Sequence, residues 1–197
     1  MLWLTAASPL AHLDHHLLTA HMAMHLLIMT LAAPLILFGA GPSLVRWRPQ
    51  ITSCWLVGTL TMILWHVPAV FELALQSHFW HQFEHASFFV AGILFWWPVI
   101  QLHPVPRWSV PVYLFLGTLP CDALSAFLVF CGHVVYRPYL AGDDHHGMFG
   151  LSPLEDQALA GALMWVTVTF AYLIPALVLT ARLLANERTR ASEVGVA

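Results

Sequence analysis

The chain has 197 residues, none of which is lysine, and its charged residues amount to only 9% of the total. Because soluble domains carry about 25% charged residues, this sequence has too few charges to cover a surface that faces water. It contains neither a glycine-rich phosphate-binding loop nor a cluster of basic residues, which argues against nucleotide and nucleic-acid partners. The apolar residues, 59% of the chain, occur in long runs, and a helix needs about 20 such residues to cross a bilayer. We therefore predict an all-α bundle of transmembrane helices that resides in the lipid bilayer.

Cysteine is scarce as well, with three residues in the chain. Cys54, Cys121 and Cys131 form neither a CxxC pair nor a CxxCH motif, which excludes covalent haem attachment and the usual cysteine-based zinc motifs. Free cysteines commonly pack as small apolar residues. We expect that role for all three, with copper ligation by Cys121 or Cys131 as the alternative.

Five segments are apolar and long enough to be predicted as membrane spans. They cover residues 17–39, 51–67, 81–100, 110–132 and 156–184. Pro68 ends the second span, and the amphipathic segment 69–76 after it is predicted to be an interfacial helix or turn. Residues 1–186 then form one transmembrane domain, and the polar tail 187–197 is expected to lie in the cytoplasm and to fray.

The arginines indicate the orientation of the bundle, because short cytoplasmic loops collect positive charge. With five spans, Arg137 lies on one side of the membrane and the other six arginines lie on the opposite side. Those six are Arg46, Arg48, Arg107, Arg182, Arg188 and Arg190. The N-terminus is therefore predicted to lie outside and the C-terminus inside, which in a bacterium means the periplasm and the cytoplasm on either side of the plasma membrane.

Histidine is the most unusual residue present, since its thirteen copies outnumber the seven arginines. On the predicted topology twelve of them fall in the outer half of the protein, and only His103 lies on the cytoplasmic face. A polar side chain in a membrane is costly unless it finds a partner, so ionisable residues there are functional candidates. The shared location of the histidines predicts a functional site at the outer membrane boundary.

Two of these histidines stand in the sequence HMAMH near the start of the first span. Residues four apart share one helix face, so His21 and His25 point the same way, and Met24 joins them. Imidazole binds copper, zinc and iron, whereas thioether sulfur favours Cu(I). Met22 and Met24 beside the imidazoles therefore favour copper, with iron, zinc or haem as alternatives.

A second stripe of histidines opens the third span. His78, His81 and His85 share one helix face at spacings of three and four, and His66 lies at the same depth at the end of the second span. Taken alone, His66 would be interpreted as a packing residue held by a hydrogen bond. Together with the two HxxxH pairs, His21 with His25 and His81 with His85, it predicts a metal site in the core of the bundle. The predicted ligands are His21, His25, His66, His81 and His85, with Met22, Met24 and His78 as additional candidates.

Further polar residues are expected around this site. A carboxylate can orient a ligating imidazole through a hydrogen bond, and four acidic residues are candidates for that role. They are Asp14, Glu84, Asp122 and Asp156. Exposed histidines on the same side would form an entrance for the metal, or would be solvated loop residues without a function. They are His12, His15, His16, His145 and His146.

Four ordered blocks of the sequence resemble the signature blocks of the CtaG family of cytochrome c oxidase assembly factors, the Caa3-type CtaG membrane proteins. The blocks are HMAMHLLIMTLAAPLILFGA, WHVPAVFELAL, HQFEHASFFVAGILFWWPVI and EDQALAGALMWV. The residues that match the family's motifs are His21, Met22 and His25; Trp65, His66 and Pro68; His81, Glu84, His85 and Phe88; and Asp156, Gln157, Ala160 and Gly161. The resemblance implies a bacterial plasma-membrane protein that helps to mature a haem–copper oxidase. It further implies delivery of copper to the buried copper site of cytochrome c oxidase subunit I, alongside other assembly factors.

Two other functions are compatible with the histidines. The first is a di-metal oxidoreductase, because HLDHH at 12–16 and two HxxxH motifs are typical of the di-iron sites of membrane desaturases and hydroxylases, although those sites usually face the cytoplasm. The second is a b-type cytochrome with His25 and His85 as axial haem ligands. We expect a metallochaperone and not an enzyme, and the sequence leaves open whether the protein forms a homo-oligomer.

Reporter fusions test the predicted orientation. Fusions after Gln50, after Pro104 and at the C-terminus should report the cytoplasm, because each follows an odd number of predicted spans. A fusion at Gly142 follows four spans and should report the periplasm. A cytoplasmic signal at Gly142 would contradict the prediction, since the histidines would then not share one compartment.

Overall fold

A computed structural model of the protein describes residues 13, 16–40, 49–100, 108–140 and 150–195. Within these ranges the chain is helical and contains no strand, and a short 3₁₀-helix covers Arg137–Leu140. The helices are α1 (Leu18–Ala40), α2 (Ile51–His66), α3 (Pro68–Gln76), α4 (His78–Ile100), α5 (Ser109–Phe130) and α6 (Pro153–Gly195). The all-helical class expected from the sequence is confirmed.

Four of these helices, α1, α4, α5 and α6, are long and apolar enough to cross a membrane, as in a multi-pass membrane protein. The remaining predicted span corresponds to α2, which has 16 residues and is followed, after a bend of 77°, by α3. The bend falls at Pro68, because proline has no N–H and fits the first turn of a new helix. The segment predicted to be an interfacial helix or turn is therefore helix α3, the second arm of a bent pair.

Two helix boundaries differ from those expected. α4 begins at His78 rather than at residue 81, so the whole histidine stripe lies on one helix. α6 continues to Gly195 and includes most of the tail expected to fray. The cause is local, since alanine, leucine and arginine, which dominate residues 181–190, are strong helix formers.

α1 changes its helical form partway along its length. Residues Leu27–Ala32 are π-helical, and a π turn takes main-chain groups out of the ordinary α-helical pattern. The carbonyl oxygen of Met29 accepts a 3.0 Å hydrogen bond from the indole N–H of Trp96 on α4. Gly92 on α4 permits this close approach, because a Cβ atom there would lie 3.0 Å from Ala33 Cβ and 3.2 Å from Met29 Cα. The π segment, which begins two residues after His25, thus joins α1 tightly to α4.

A side chain from α6 fixes the start of α1. Asp156 is buried, and its Oδ2 accepts a 2.7 Å hydrogen bond from the Leu18 N–H. Its Oδ1 accepts bonds from the main-chain N–H and the hydroxyl of Thr19 at 3.2 and 2.6 Å. The free N–H groups and the positive dipole end at a helix start both favour a carboxylate, and Leu17 at the N-cap position makes no side-chain cap. The position of α1 therefore depends on α6.

The next residue, Gln157, holds the segment that follows α5. Its Oε1 accepts a 2.7 Å hydrogen bond from the Val135 N–H, and its Nε2 donates to the carbonyl oxygens of Leu128 and His133 at 3.3 and 3.1 Å. The starts of α1 and α6 and the end of α5 consequently meet at one end of the bundle. We call it the histidine end, because the start of α4 and the end of α2 bring further histidines to it.

Loss of the Asp156 carboxylate should destabilise the histidine end. In Asp156→Ala the buried N–H of Leu18 loses its acceptor, which costs about 1–3 kcal/mol, so we expect a lower Tm in detergent. Asp156→Asn retains one acceptor oxygen and should lower the Tm less. Glu155→Ala is the matched control, because the exposed Glu155 carboxylate bonds to Ser152 at the start of its own helix. An equal decrease in Tm for both alanine variants would contradict the role of Asp156.

Candidate metal centre

α1 brings two imidazoles into the core of the bundle. His21 and His25 are four residues apart in its first turns, and their side chains are buried, with relative exposures of 0% and 5%. The two ring centroids lie 4.4 Å apart. Both rings are therefore removed from lipid and from water, and they share one face of the helix.

α4 brings a corresponding set of side chains to the same place. His81 and His85 are buried with ring centroids 4.3 Å apart, and Glu84 is 0% exposed. The spacings of three and four residues put all three side chains on one helix face. His78, the first residue of α4, is exposed and lies outside this buried group.

The two HxxxH pairs face each other where α1 packs against α4. The rings of His21 and His81 stack at 5.6 Å, and those of His25 and His85 meet edge to face at 5.3 Å. One donor atom each from His21, His81 and Glu84 lies within 4.8 Å of the other two. Nitrogen ligands at about 2.0–2.1 Å from an ion lie about 3–4 Å from one another, so small side-chain movements would suffice to bind an ion. We call His21, His25, His81, Glu84 and His85 the imidazole–carboxylate cluster.

The carboxyl group of Glu84 lies among these imidazoles. Its Oε1 is 3.4 Å from Nε2 of His21 and 3.5 Å from Nε2 of His25. Within the part of the chain that the structure describes, neither oxygen of Glu84 and neither ring nitrogen of His25 takes part in a hydrogen bond. A buried carboxylate is costly without an opposite charge or a metal ion beside it. A bound cation would satisfy these groups, and a proton shared between Glu84 and an imidazole is the alternative.

His66, the last residue of α2, is buried next to the cluster. Its ring and that of His25 both contact Phe88, at centroid distances of 6.4 and 4.2 Å. Nδ1 of His66 lies 2.7 Å from the carbonyl oxygen of Met62, so we assign the proton to Nδ1 and the lone pair to Nε2. Nε2 is buried and has no hydrogen-bond partner among the described residues. Ligating histidines commonly donate their second N–H to a carbonyl group in this way.

Aromatic rings cover the cluster at the histidine end. Phe71 of α3 packs on His21 with centroids 4.9 Å apart, and Tyr136 packs on Phe71 at 4.2 Å. The Tyr136 hydroxyl donates a 3.1 Å hydrogen bond to the carbonyl oxygen of His66. Burial raises the pKa of Tyr136 above its ordinary value, so the phenol keeps its proton and this bond. α3 and the segment after α5 therefore shield the imidazoles from water.

Two of the predicted carboxylates, Asp122 and Asp156, bond to groups other than the imidazoles of the cluster. Asp156 caps α1, and Asp122 is half-buried on α5, where Thr169 of α6 donates a 3.5 Å hydrogen bond to it. Among the described residues, neither belongs to the group of close metal-ligand atoms. Glu84, predicted as an additional ligand or as a partner that orients one, lies among the candidate ligand atoms.

The additional ligand candidates and the entrance histidines do not all lie beside the cluster. Met22 and Met24 are both buried, but Met22 lines a cavity together with His25, whereas Met24 does not. His16, of the predicted entrance, is exposed just ahead of α1. The following residues lie outside those that the structure describes: His12, Asp14, His15, His103, His145 and His146.

Some contacts of the site were not predicted from the sequence. Phe71 and Tyr136 cover the cluster from segments that are distant in the chain, and no local pattern indicates that they meet. The contact between Met62 and His66 could have been predicted from the sequence, because the two residues are four apart and therefore share one helix face.

Comparison with known proteins gives one match. Residues 1–186 match the model of a protein family described as cytochrome c oxidase caa3 assembly factor (Caa3_CtaG). The matched region contains the whole imidazole–carboxylate cluster and His66. No curated protein and no solved structure matches the chain significantly.

Proposed function

The chain belongs to the family of cytochrome c oxidase caa3 assembly factors, and from this premise we propose that it donates copper to the oxidase. Its imidazole–carboxylate cluster binds a copper ion as cargo and passes it to the buried copper site of oxidase subunit I. Membership of an assembly-factor family favours this non-catalytic role over a di-metal oxidoreductase.

The observation that carries the proposal is the environment of Glu84. Its carboxyl group is fully buried, and Nε2 atoms of His21 and His25 approach one of its oxygens. Imidazole lone pairs and a negative charge in a region of low dielectric constant favour a bound cation. Buried polar groups with a purely structural role are normally hydrogen-bonded, and the carboxyl oxygens of Glu84 are not, within the described residues.

The donor atoms and their packing favour copper over the other candidate groups. Imidazole and carboxylate accept copper, zinc and iron, but thioether sulfur favours Cu(I), and Met22 lines the cavity next to the cluster. Haem is disfavoured, because His21 and Phe88 pack on the ring of His25 at 4.4 and 4.2 Å. This packing leaves no planar gap for a porphyrin between His25 and His85.

A copper donor must also release its ion. The cluster is assembled from two helices, and a third helix offers the Nε2 lone pair of His66 close by. Ligands from separate helices can be exchanged one at a time, which allows the ion to move without a fully uncoordinated state. In this proposal the histidine end faces the outside of a bacterial plasma membrane, where the exposed His16 collects copper.

Copper binding by the purified protein tests the role of the cluster. We expect Cu²⁺ to bind with nitrogen ligands that electron paramagnetic resonance detects. His25→Ala and His85→Ala each remove one imidazole and should weaken binding by more than about 10-fold, since even loss of an outer partner typically costs 10–100-fold. Glu84→Gln removes the charge at nearly constant size and should have a similar effect.

His78→Ala is the matched control for these variants. His78 is a histidine on the same helix as His85, but it is exposed, so its loss should leave the copper affinity unchanged. Wild-type affinity in Glu84→Gln would contradict the proposal, because a shared proton would then account for the buried carboxyl group.

Oxidase assembly in cells tests copper delivery. In a strain that lacks its own copy of the protein, the double variant His25→Ala, His85→Ala should insert into the membrane but yield oxidase that contains haem and lacks the buried copper. Removing polar groups from a membrane helix does not hinder insertion, which an immunoblot of the membrane fraction checks. His78→Ala should restore a copper-loaded oxidase. Full oxidase activity with the double variant would rule out copper delivery by the cluster.

A further inference from the structure

A cavity of about 50 Å³ lies next to the imidazole–carboxylate cluster, deeper in the bundle. Residues of α1, α2, α4, α5 and α6 line it. His25 and His66 line its side towards the histidine end, and Phe95 and Tyr172 line the opposite side. A space of this size can hold an ion or a small number of water molecules.

Sulfur-containing side chains form much of the cavity lining. They are Met22 and Met29 of α1, Met62 of α2, Cys121 of α5 and Met164 of α6. No aspartate, glutamate, lysine or arginine is among the described residues that line the cavity. Methionine often fills gaps in protein cores, but here four helices direct sulfur-bearing residues to a space that remains open. Such a lining suits a soft ion, because thioethers and thiols select Cu(I) while hard divalent ions prefer oxygen ligands.

Aromatic residues close the far side of the cavity. The ring of Phe95 fits between α2 and α5, where Cβ atoms added at Gly58 and Gly117 would lie 3.1 and 2.7 Å from it. Tyr172 stacks on this ring at 4.8 Å, and the Tyr113 hydroxyl donates a 2.7 Å hydrogen bond to the Phe95 carbonyl oxygen. We call Phe95, Tyr113 and Tyr172 the aromatic floor. The cavity is thus bounded by aromatic rings on this side and carries the imidazoles of His25 and His66 on the opposite side.

We propose that this cavity is a second metal site, which holds a monovalent copper ion on methionine and cysteine sulfur. His25 and His66 line the cavity, and His25 also belongs to the cluster, so the ion moves between the two sites without entering lipid. The ion remains Cu(I) throughout, and no electron transfer is involved. This inference rests on the proposed function, since it assigns a holding site for the same cargo.

Cu⁺ binding by the purified full-length protein tests the cavity site, under anaerobic reducing conditions in competition with a chromophoric Cu⁺ chelator. X-ray absorption distinguishes sulfur from nitrogen ligands. Met62→Leu and Met164→Leu remove sulfur at nearly constant volume, a change that usually costs less than about 1.5 kcal/mol, so the fold should persist. We expect each to weaken Cu⁺ binding by more than about 10-fold and the double variant to lose the sulfur signal. Cu²⁺ binding at the cluster should be unchanged.

Met24→Leu is the matched control. Met24 lies on the same helix as Met22 and both are 1% exposed, but Met24 does not line the cavity, so Cu⁺ affinity should be unchanged. Cu⁺ bound by nitrogen and oxygen alone, or equal affinities in Met24→Leu and Met62→Leu, would overturn the cavity site while leaving Cu²⁺ binding at the cluster intact. Conversely, Cu⁺ bound by sulfur alone, with neither nitrogen-bound Cu⁺ nor Cu²⁺ binding in any variant, would support the cavity site and refute the cluster.

Discussion

The packing of this bundle depends most on the contact between the Glu84 carboxyl group and the imidazoles of His21 and His25. The carboxyl group of Glu84 is buried out of reach of water, so any partner that satisfies it must come from within the bundle. The contact also requires α1 and α4 to lie very close together. Gly92 and the indole of Trp96 provide that closeness one helical turn or more below the cluster.

The remainder of the histidine end supports this contact from outside. α6 holds the neighbouring segments in place through two side chains. Asp156 accepts hydrogen bonds from the start of α1, and Gln157 accepts one from the segment after α5. Through that segment, Tyr136 reaches the end of α2 and packs over Phe71. The polar residues of α6 thus position the imidazoles without touching them, which gives a physical reason for polar side chains in an otherwise apolar helix.

Features that depend on one helix could be predicted from the sequence, and features that depend on neighbouring helices could not. The HxxxH spacings place His21 with His25, and His81 with His85, because helical periodicity is local. The hydrogen bonds from Asp156 to the start of α1 could not be predicted, since nothing in α6 alone indicates that α1 begins beside it. The sequence left open whether Glu84 is a ligand or orients one, because its distance from the imidazoles of α1 depends on how two helices pack. The cavity could not be predicted either, because its lining residues come from five helices and no single helix indicates where they meet.

The aromatic floor has a consequence for the membrane as an electrical insulator. An oxidase works in a membrane that stores energy as a proton gradient, and a file of polar groups across such a membrane would conduct protons. Among the described residues, the imidazoles of His25 and His66 line one side of the cavity and Phe95 lines the other, with its ring held between α2 and α5 and stacked on Tyr172. The ring of Phe95 offers no polar group on which a chain of water molecules could continue. If the cluster and the cavity bind an ion as proposed, the groups that bind it therefore end inside the bundle and form no continuous path for protons across the bilayer.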